Sequence, residues 1–172
     1  LRCLVGSEMC IRDSVNKVLL SKAPKLPLKA YDDLGTFKLY TLDLGVLRKL
    51  SELDASILLL PTPAYTEYKG ALAENYILQS LTAQFQMPFR YWTSGNKAEV
   101  DFLLQYINQI YPIEVKADQN IQGKSLIQYE KLFQPACRIR YSMLNLKQDG
   151  NLLNIPLFLA DKTRELLGVI NV

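Results

Sequence analysis

The chain contains no histidine among its 172 residues. That absence removes Ser-His and Cys-His catalysis, histidine-ligated zinc and a histidine general base. Proton transfer or metal binding must therefore come from carboxylates and lysines. Cysteine is scarce: of three, Cys3 and Cys10 lie in a segment set aside below, leaving Cys137 in an apolar run. A single buried-type cysteine acts as a small core residue and fits a cytosolic chain without disulfides. No apolar run is long enough to cross a bilayer, so no membrane partner is expected. Charge of one sign is also lacking. The net charge of +3 allows a nucleic-acid partner without requiring one. A G-x-x-x-x-G-K-[ST] loop is missing as well, so the chain cannot cradle ATP phosphates in that way.

What is present suits a folded domain. Hydrophobic residues make up 49% and charged residues 22%, a globular balance, and the length suits one domain with a real core. The first fourteen residues stand apart. "SEMCIRDS" (Ser7 to Ser14) resembles a translated sequencing adapter: Met9 to Ser14 back-translates as atg tgt ata aga gac ag(c/t), the transposase mosaic end. Residues 1–14 are therefore expected to be adapter read-through and are excluded from fold reasoning. Dropping Arg2, Arg12, Glu8 and Asp13 leaves the net charge unchanged.

Pro24 and Pro27 among lysines mark an extended connector, and residues 15–35 read as a linker ahead of a domain spanning 36–172. "FKLYTLD" (Phe37 to Asp43) reads as a strand, with Asp43 capping a short helix, "LGVLRKL". The longest helical pattern runs from Thr66 to Phe85, with Gly70, Ala71, Ile77, Leu78, Leu81 and Phe85 on one stripe and Glu74 in the middle of it. "FRYWTS", "AEVDFLLQ" and "IYPIEVKA" follow as strands, then the helix "GKSLIQYEKLF", the strand "ACRIRYSML", and a final strand and helix. From Thr66 the order is helix, strand, strand, strand, helix, strand. This is an α/β class with a mixed sheet and flanking helices.

"AEVDFLLQYINQIYPIEVKA" places Asp101, Glu114 and Lys116 in two adjacent strand-like runs. Straight alternation puts Glu99, Asp101 and Leu103 on one face and Val100, Phe102 and Leu104 on the other. A hairpin closing about Ile107 and Asn108 sets Asp101 opposite Glu114 and Glu99 opposite Lys116. The second pair attracts. The first repels, and needs solvent, a raised pKa or a divalent cation to offset it. Ile-Asn is not a favoured two-residue turn, and Pro112 cannot donate in a ladder. Glu74 on an apolar stripe is costly unless paired or metal-bound. Two readings stay open: a cross-strand charge pair on a wet face, or a metal-binding phosphodiesterase site.

Asp101, twelve intervening residues, then Glu114-Val115-Lys116, with a helix carrying Glu74 before and a helix and strand after, resembles the PD-(D/E)xK nuclease-like superfamily. More closely, "FKLYTLDLGVLRKL", "YKGALAENYILQSL", "YWTSGNKAEVDFLL" and "PIEVKA" resemble the C-terminal domain of unknown function of prokaryotic AAA+-type ATPases, from about Val15 to Ala160. The resemblance implies a restriction-endonuclease-like fold with an αβββαβ core, and an upstream ATPase domain of the same protein as partner and sole site for ATP. It implies Mg²⁺ (or Mn²⁺) held by Asp101 and Glu114, with Glu74 as an auxiliary ligand. Lys116 would orient water or neutralise charge on phosphate, and DNA would be the substrate. A nuclease-shaped module without catalysis, serving docking and regulation of the ATPase, is the alternative. The helix after Lys116 lacks a Gln-x-x-x-Tyr element; Gln128 and Tyr129 are adjacent instead.

Other residues have two readings each. Lys97, Lys124, Lys131, Arg138 and Arg140 either line a phosphate-binding surface or are solvated charges. Trp92 and Tyr91 either stack on a base or pack in the core.

Overall fold

Alternating apolar residues generate most of the architecture. The computed structural model describes residues 15–52, 54, 63–95, 98–118 and 123–170. The expectations for residues 1–14 and for Lys97 lie outside them. The described chain runs through β1 (Val15–Ser21), a 3₁₀ turn (Leu28–Tyr31), β2 (Asp32–Thr41), α1 (Leu44–Leu50) and α2 (Pro63–Phe85). It continues through β3 (Arg90–Thr93), β4 (Glu99–Tyr106), β5 (Gln109–Val115), α3 (Lys124–Phe133) and β6 (Arg138–Ser142). It ends with β7 (Lys147–Asp149), β8 (Leu152–Pro156), a second 3₁₀ turn (Leu157–Lys162) and α4 (Thr163–Ile170).

The strands form one eight-stranded mixed sheet in the order β2-β1-β3-β4-β5-β6-β8-β7. Two apolar layers cover it. On one face Ala73, Ile77, Leu78 and Leu81 of α2 and Leu167 of α4 pack against Phe102, Leu104, Ile113, Ile139 and Ile155. On the other, Leu126 and Tyr129 of α3 pack against Trp92, Val100 and Leu103. Trp92 meets Tyr129 and Phe133 edge-on. Tyr91 is buried as well, so both aromatics are core residues.

The α/β class and the elements from Phe37 to β6 match the sequence reading, and Asp43 does cap α1, its side chain accepting from Val46 N at 2.9 Å. β7 is absent from that reading, and the last strand, β8, ends at Pro156, where a 3₁₀ turn replaces the expected continuation. The segment 15–35 differs. Rather than a bare connector, it contributes β1, which lies between β2 and β3 and buries Val18. Only the Pro24–Pro27 stretch behaves as the prolines dictate. On α2 the buried side differs slightly: Ala71 is exposed and Ala73 takes its place.

The β1–β2 hairpin is tied down by side chains. Asn75 of α2 accepts from Thr41 N at 2.9 Å and donates to Thr41 O at 3.2 Å. The amide thereby completes the last backbone pair of β2 as a neighbouring strand would.

The β4–β5 hairpin closes about Ile107 and Asn108, with Tyr106 opposite Gln109 and Phe102 opposite Ile113. Both turn residues have positive φ, 45° and 55°, as a two-residue hairpin of the I′ kind demands. A β-branched residue is poorly suited to that region. Ile107 is exposed, so Ile107→Asn removes strain without losing burial. It should stabilise the chain by about 1 kcal/mol, read as a higher urea midpoint with an unchanged slope. Pro112 sits inside the ladder without harm. Lys116 N–H points to β6, donating to Tyr141 O at 2.8 Å. Counting back along the strand, the missing Pro112 donor also faces β6, just before the first paired residues, Ile113 and Ile139.

Candidate metal-binding site at the end of the β4–β5 ladder

The site is made where the sheet stops being regular. Arg90 pairs with Leu103 and Trp92 with Val100, so two steps on β3 match three on β4. The extra residue is a bulge at Asp101–Phe102. It changes the expected facing. Val100 and Leu103 both enter the α3 layer, whereas Phe102 and Leu104 enter the α2 layer. Straight alternation through Asp101, which would put Val100 beside Phe102, is therefore corrected.

Beyond Phe102 and Ile113 no further β4–β5 pair forms. In place of a backbone acceptor, Asp101 Oδ2 receives the Val115 N–H at 2.7 Å. That donor lies in the plane of the sheet and points from β5 toward β4. The Asp101 carboxylate therefore occupies the gap between the strands.

Glu114 reaches this gap from the α3 side. Tyr111, Ile113 and Val115 belong to the α2 layer, so alternation sends Glu114 and Lys116 the other way. The Glu114 side chain is only 3% exposed, and its Oε1 pairs with Lys116 Nζ at 2.9 Å. Its Oε2 is the one fully buried side-chain oxygen or nitrogen among the described residues without a hydrogen-bond partner. A buried carboxylate oxygen left bare is costly. The expected Glu99–Lys116 pair does not form, because the bulge and the early end of the ladder part them. Glu99 pairs instead with Lys38 of β2.

On the α2 side stands Glu74. Its Oε2 accepts from the Tyr40 hydroxyl at 2.9 Å. Burial pushes the Asp101 carboxyl up to about 7, and repulsion from Glu74 and, less strongly, Glu114 adds to it. The Val115 N–H and the Lys38 ammonium pull the other way. Lys38 also lies 5.0 Å above the Tyr91 ring. Burial lowers its pKa, but Glu99, Asp101 and Glu74 outweigh that and hold it above the ordinary lysine value. The Tyr40 hydroxyl is raised far above its usual value by burial and then by Glu74.

Asp101 thus sits between Glu74 on one face and the Glu114–Lys116 pair on the other. No group of three or more acidic or cysteine side chains among the described residues is arranged to hold a metal ion. Mg²⁺ does not require one: it is commonly bound through one or two carboxylates, with waters and substrate phosphates completing the shell. The hard oxygens of Asp101 and Glu114, with Glu114 Oε2 unpartnered, fit that chemistry. Lys124 is exposed at the first turn of α3. Arg138 is buried and paired with Glu130 at 3.0 Å, so it is no phosphate contact.

Sequence reasoning missed Lys38 and Tyr40. Their alternation around Leu39 marks one strand face, but nothing local says that this face looks across β1 and β3 to Glu74 and Glu99.

An α/β chain with a mixed sheet, helices on both faces and acidic side chains gathered where the β4–β5 ladder ends is the class defined so far. Residues 69–158 match the family described as domain of unknown function (DUF4143), and the chain belongs to that family. No curated protein matches the chain, and no solved structure does. Among the described residues no helix is long and apolar enough to cross a membrane.

Proposed function

We propose that this domain is a divalent-metal-dependent phosphodiesterase of the PD-(D/E)xK kind acting on DNA. Asp101 and Glu114 would hold Mg²⁺ or Mn²⁺, and Glu74, on the other face of the sheet, would act through its charge on Asp101. The observation that carries this reading is the bare, buried Glu114 Oε2 beside an Asp101 whose charge is opposed by two neighbouring carboxylates. Both conditions are unfavourable for the protein alone and are relieved by a cation.

When bound, the ion would supply electrophilic pull on a phosphoryl oxygen. The chain's own residues supply the rest. Lys116 is held by Glu114 Oε1 yet its side chain is 32% exposed. Its ammonium can therefore donate to a phosphate oxygen and neutralise charge that grows as the bond to the leaving group breaks. The Val115 N–H fixes the Asp101 carboxylate in the gap, so little reorganisation is needed. Coupling to an upstream ATPase of the same protein belongs to this proposal and rests on the resemblance alone.

Linear and nicked DNA incubated with the chain and Mg²⁺ or Mn²⁺ should be cleaved. Cleavage should fall at least about 100-fold in Lys116→Ala, the scale of losing one group that stabilises transition-state charge. Equal background cutting by wild type and variant would reject the enzyme and leave the docking module.

A further inference from the structure

We propose that Arg140 binds the backbone phosphate next to the scissile one, and that Asn154 is the positioning residue that turns Arg140 toward it. The inference rests on the phosphodiesterase reading above for its ligand. β5, β6 and β8 run parallel, with Glu114 beside Arg140 and Arg140 beside Asn154 in the ladder. Register partners share a face, so these three form one polar row on the α3 side. The α3 layer takes in the earlier part of the strands, with Ile110 of β5 and Leu152 of β8, while Glu130 of α3 closes on Arg138. Beyond that layer, toward the carboxyl ends, come Glu114, Lys116, Arg140 and Asn154. Ligands of open α/β sheets gather at such strand ends.

A guanidinium beside a buried carboxylate ordinarily closes on it as a two-pronged pair. Arg140 does not: Glu114 Oε2 has no hydrogen-bond partner, although Arg140 is its neighbour on β6. Arg140 Nε donates instead to Asn154 Oδ1 at 2.9 Å, which draws the fork away from β5 and toward β8. Asn154 is only 4% exposed, and its whole amide is engaged. Oδ1 also accepts from Ser142 Oγ at 2.8 Å, and Nδ2 donates to Asn145 O at 2.9 Å and to Leu144 O at 3.4 Å. Those carbonyls fix which end of the amide faces Arg140, since a flipped amide sets N–H against N–H. Asn154 is neutral, so it directs Arg140 without cancelling its charge, whereas Glu130 neutralises Arg138. Glu114 Oε2 thereby stays open to a cation, and the half-buried guanidinium keeps its charge for an anion. Lys116 and Arg140 stand on adjacent strands about 4.8 Å apart, one drawn to Glu114 Oε1 and the other toward β8. Cations turned apart in this way suit successive phosphates of one strand, Lys116 serving the scissile group and Arg140 fixing the register of its neighbour.

The test measures binding of a fluorescein-labelled linear DNA duplex to the whole chain, by anisotropy across a potassium chloride series, with EDTA present to keep cleavage from competing. Wild type should bind, more weakly as salt rises. Arg140→Gln should weaken binding by about 10-fold or more and make the slope of log affinity against log salt shallower by about 1. Asn154→Ala changes no charge, yet it should flatten the slope by the same amount, because Arg140 is then released to close on Glu114. A merely structural loss does not move that slope. Asn154→Ala combined with Arg140→Gln should bind no more weakly than Arg140→Gln alone, since Asn154 acts through Arg140. Circular dichroism gives the folded fraction of each variant, and binding is expressed per folded chain. Asn154→Leu, of similar size, makes the same test should alanine leave the chain unfolded. Wild-type affinity and slope in Arg140→Gln overturn the inference and leave the phosphodiesterase to its own cleavage assay. An unchanged slope in the folded Asn154 variant overturns the positioning role. No DNA binding by wild type overturns the inference outright. Binding that depends on Arg140 without any cleavage in Mg²⁺ supports the phosphate contact and rejects the reaction.

Discussion

Asp101→Asn should raise the melting temperature at pH 8 and abolish cleavage. The carboxyl is held near pH 7 in the folded chain against an ordinary value of 3.8. Between those values the folded state keeps a proton that the unfolded chain has released. Stability is therefore fully present below about pH 4, falls as pH rises through the window from about 4 to 7, and stays low above it. The shift corresponds to a few kcal/mol at most, about 1.4 kcal/mol per pH unit. Asparagine keeps an oxygen for the Val115 N–H and carries no charge. At pH 8 the variant should melt on the order of 5 °C higher than wild type, and near pH 4 the two should converge. Millimolar Mg²⁺ should raise the wild-type melting temperature at pH 8, by mass action on the folded state, and leave the variant unmoved. Melting curves at several pH values decide it. A constant offset between the two proteins from pH 4 to 8 would mean that Asp101 does not titrate in this way.

Arg90→Ala should be the most damaging single change to the fold. Arg90 makes a two-pronged pair with Asp32, Nε to Oδ1 at 2.8 Å and Nη2 to Oδ2 at 2.9 Å. Its Nη1 donates to Pro88 O at 2.7 Å. Both side chains are only 9% exposed. The pair reaches across β1 and staples the start of β2 to β3, where the β1–β3 ladder itself spans just Leu19–Arg90 and Leu20–Tyr91. Removing one partner leaves Asp32 buried without its counter-charge, a loss of about 3–5 kcal/mol. Urea unfolding measures it. Hydrogen exchange should show β1 and β2 losing protection first, while β4, β5 and β6 keep theirs. Asp32→Asn with Arg90→Met should recover much of the loss, because no charge is then stranded. A cost below 1 kcal/mol for Arg90→Ala would show that the hairpin is held by its apolar contacts instead.

Much of this was legible in the sequence, for identifiable reasons. Alternation gave the central strands, and the symmetry of the runs around Ile107 and Asn108 gave the hairpin register that Phe102 and Ile113 confirm. Glu74 stood out because a carboxylate on an apolar stripe needs a partner, and Tyr40 is one. The bulge was not legible, since an extra residue in a strand leaves no mark on composition. With it went the pairing of Glu99, which joins Lys38 rather than Lys116. β1 was hidden because the nearby prolines dominate a local reading of residues 15–35. β7 is three exposed polar residues, too short to show a period.

The additional residue in β4 also changes how kindred sequences must be read. Side-chain parity from Glu99 to Leu104 does not carry through Asp101 and Phe102. An alignment that treats this stretch as uniform will assign the wrong orientation to everything on one side of it. In a homologue, the number of residues between the acid and the following hydrophobics is therefore as informative as their identity. A one-residue length change there would reverse the strand's outlook even if every key side chain were retained.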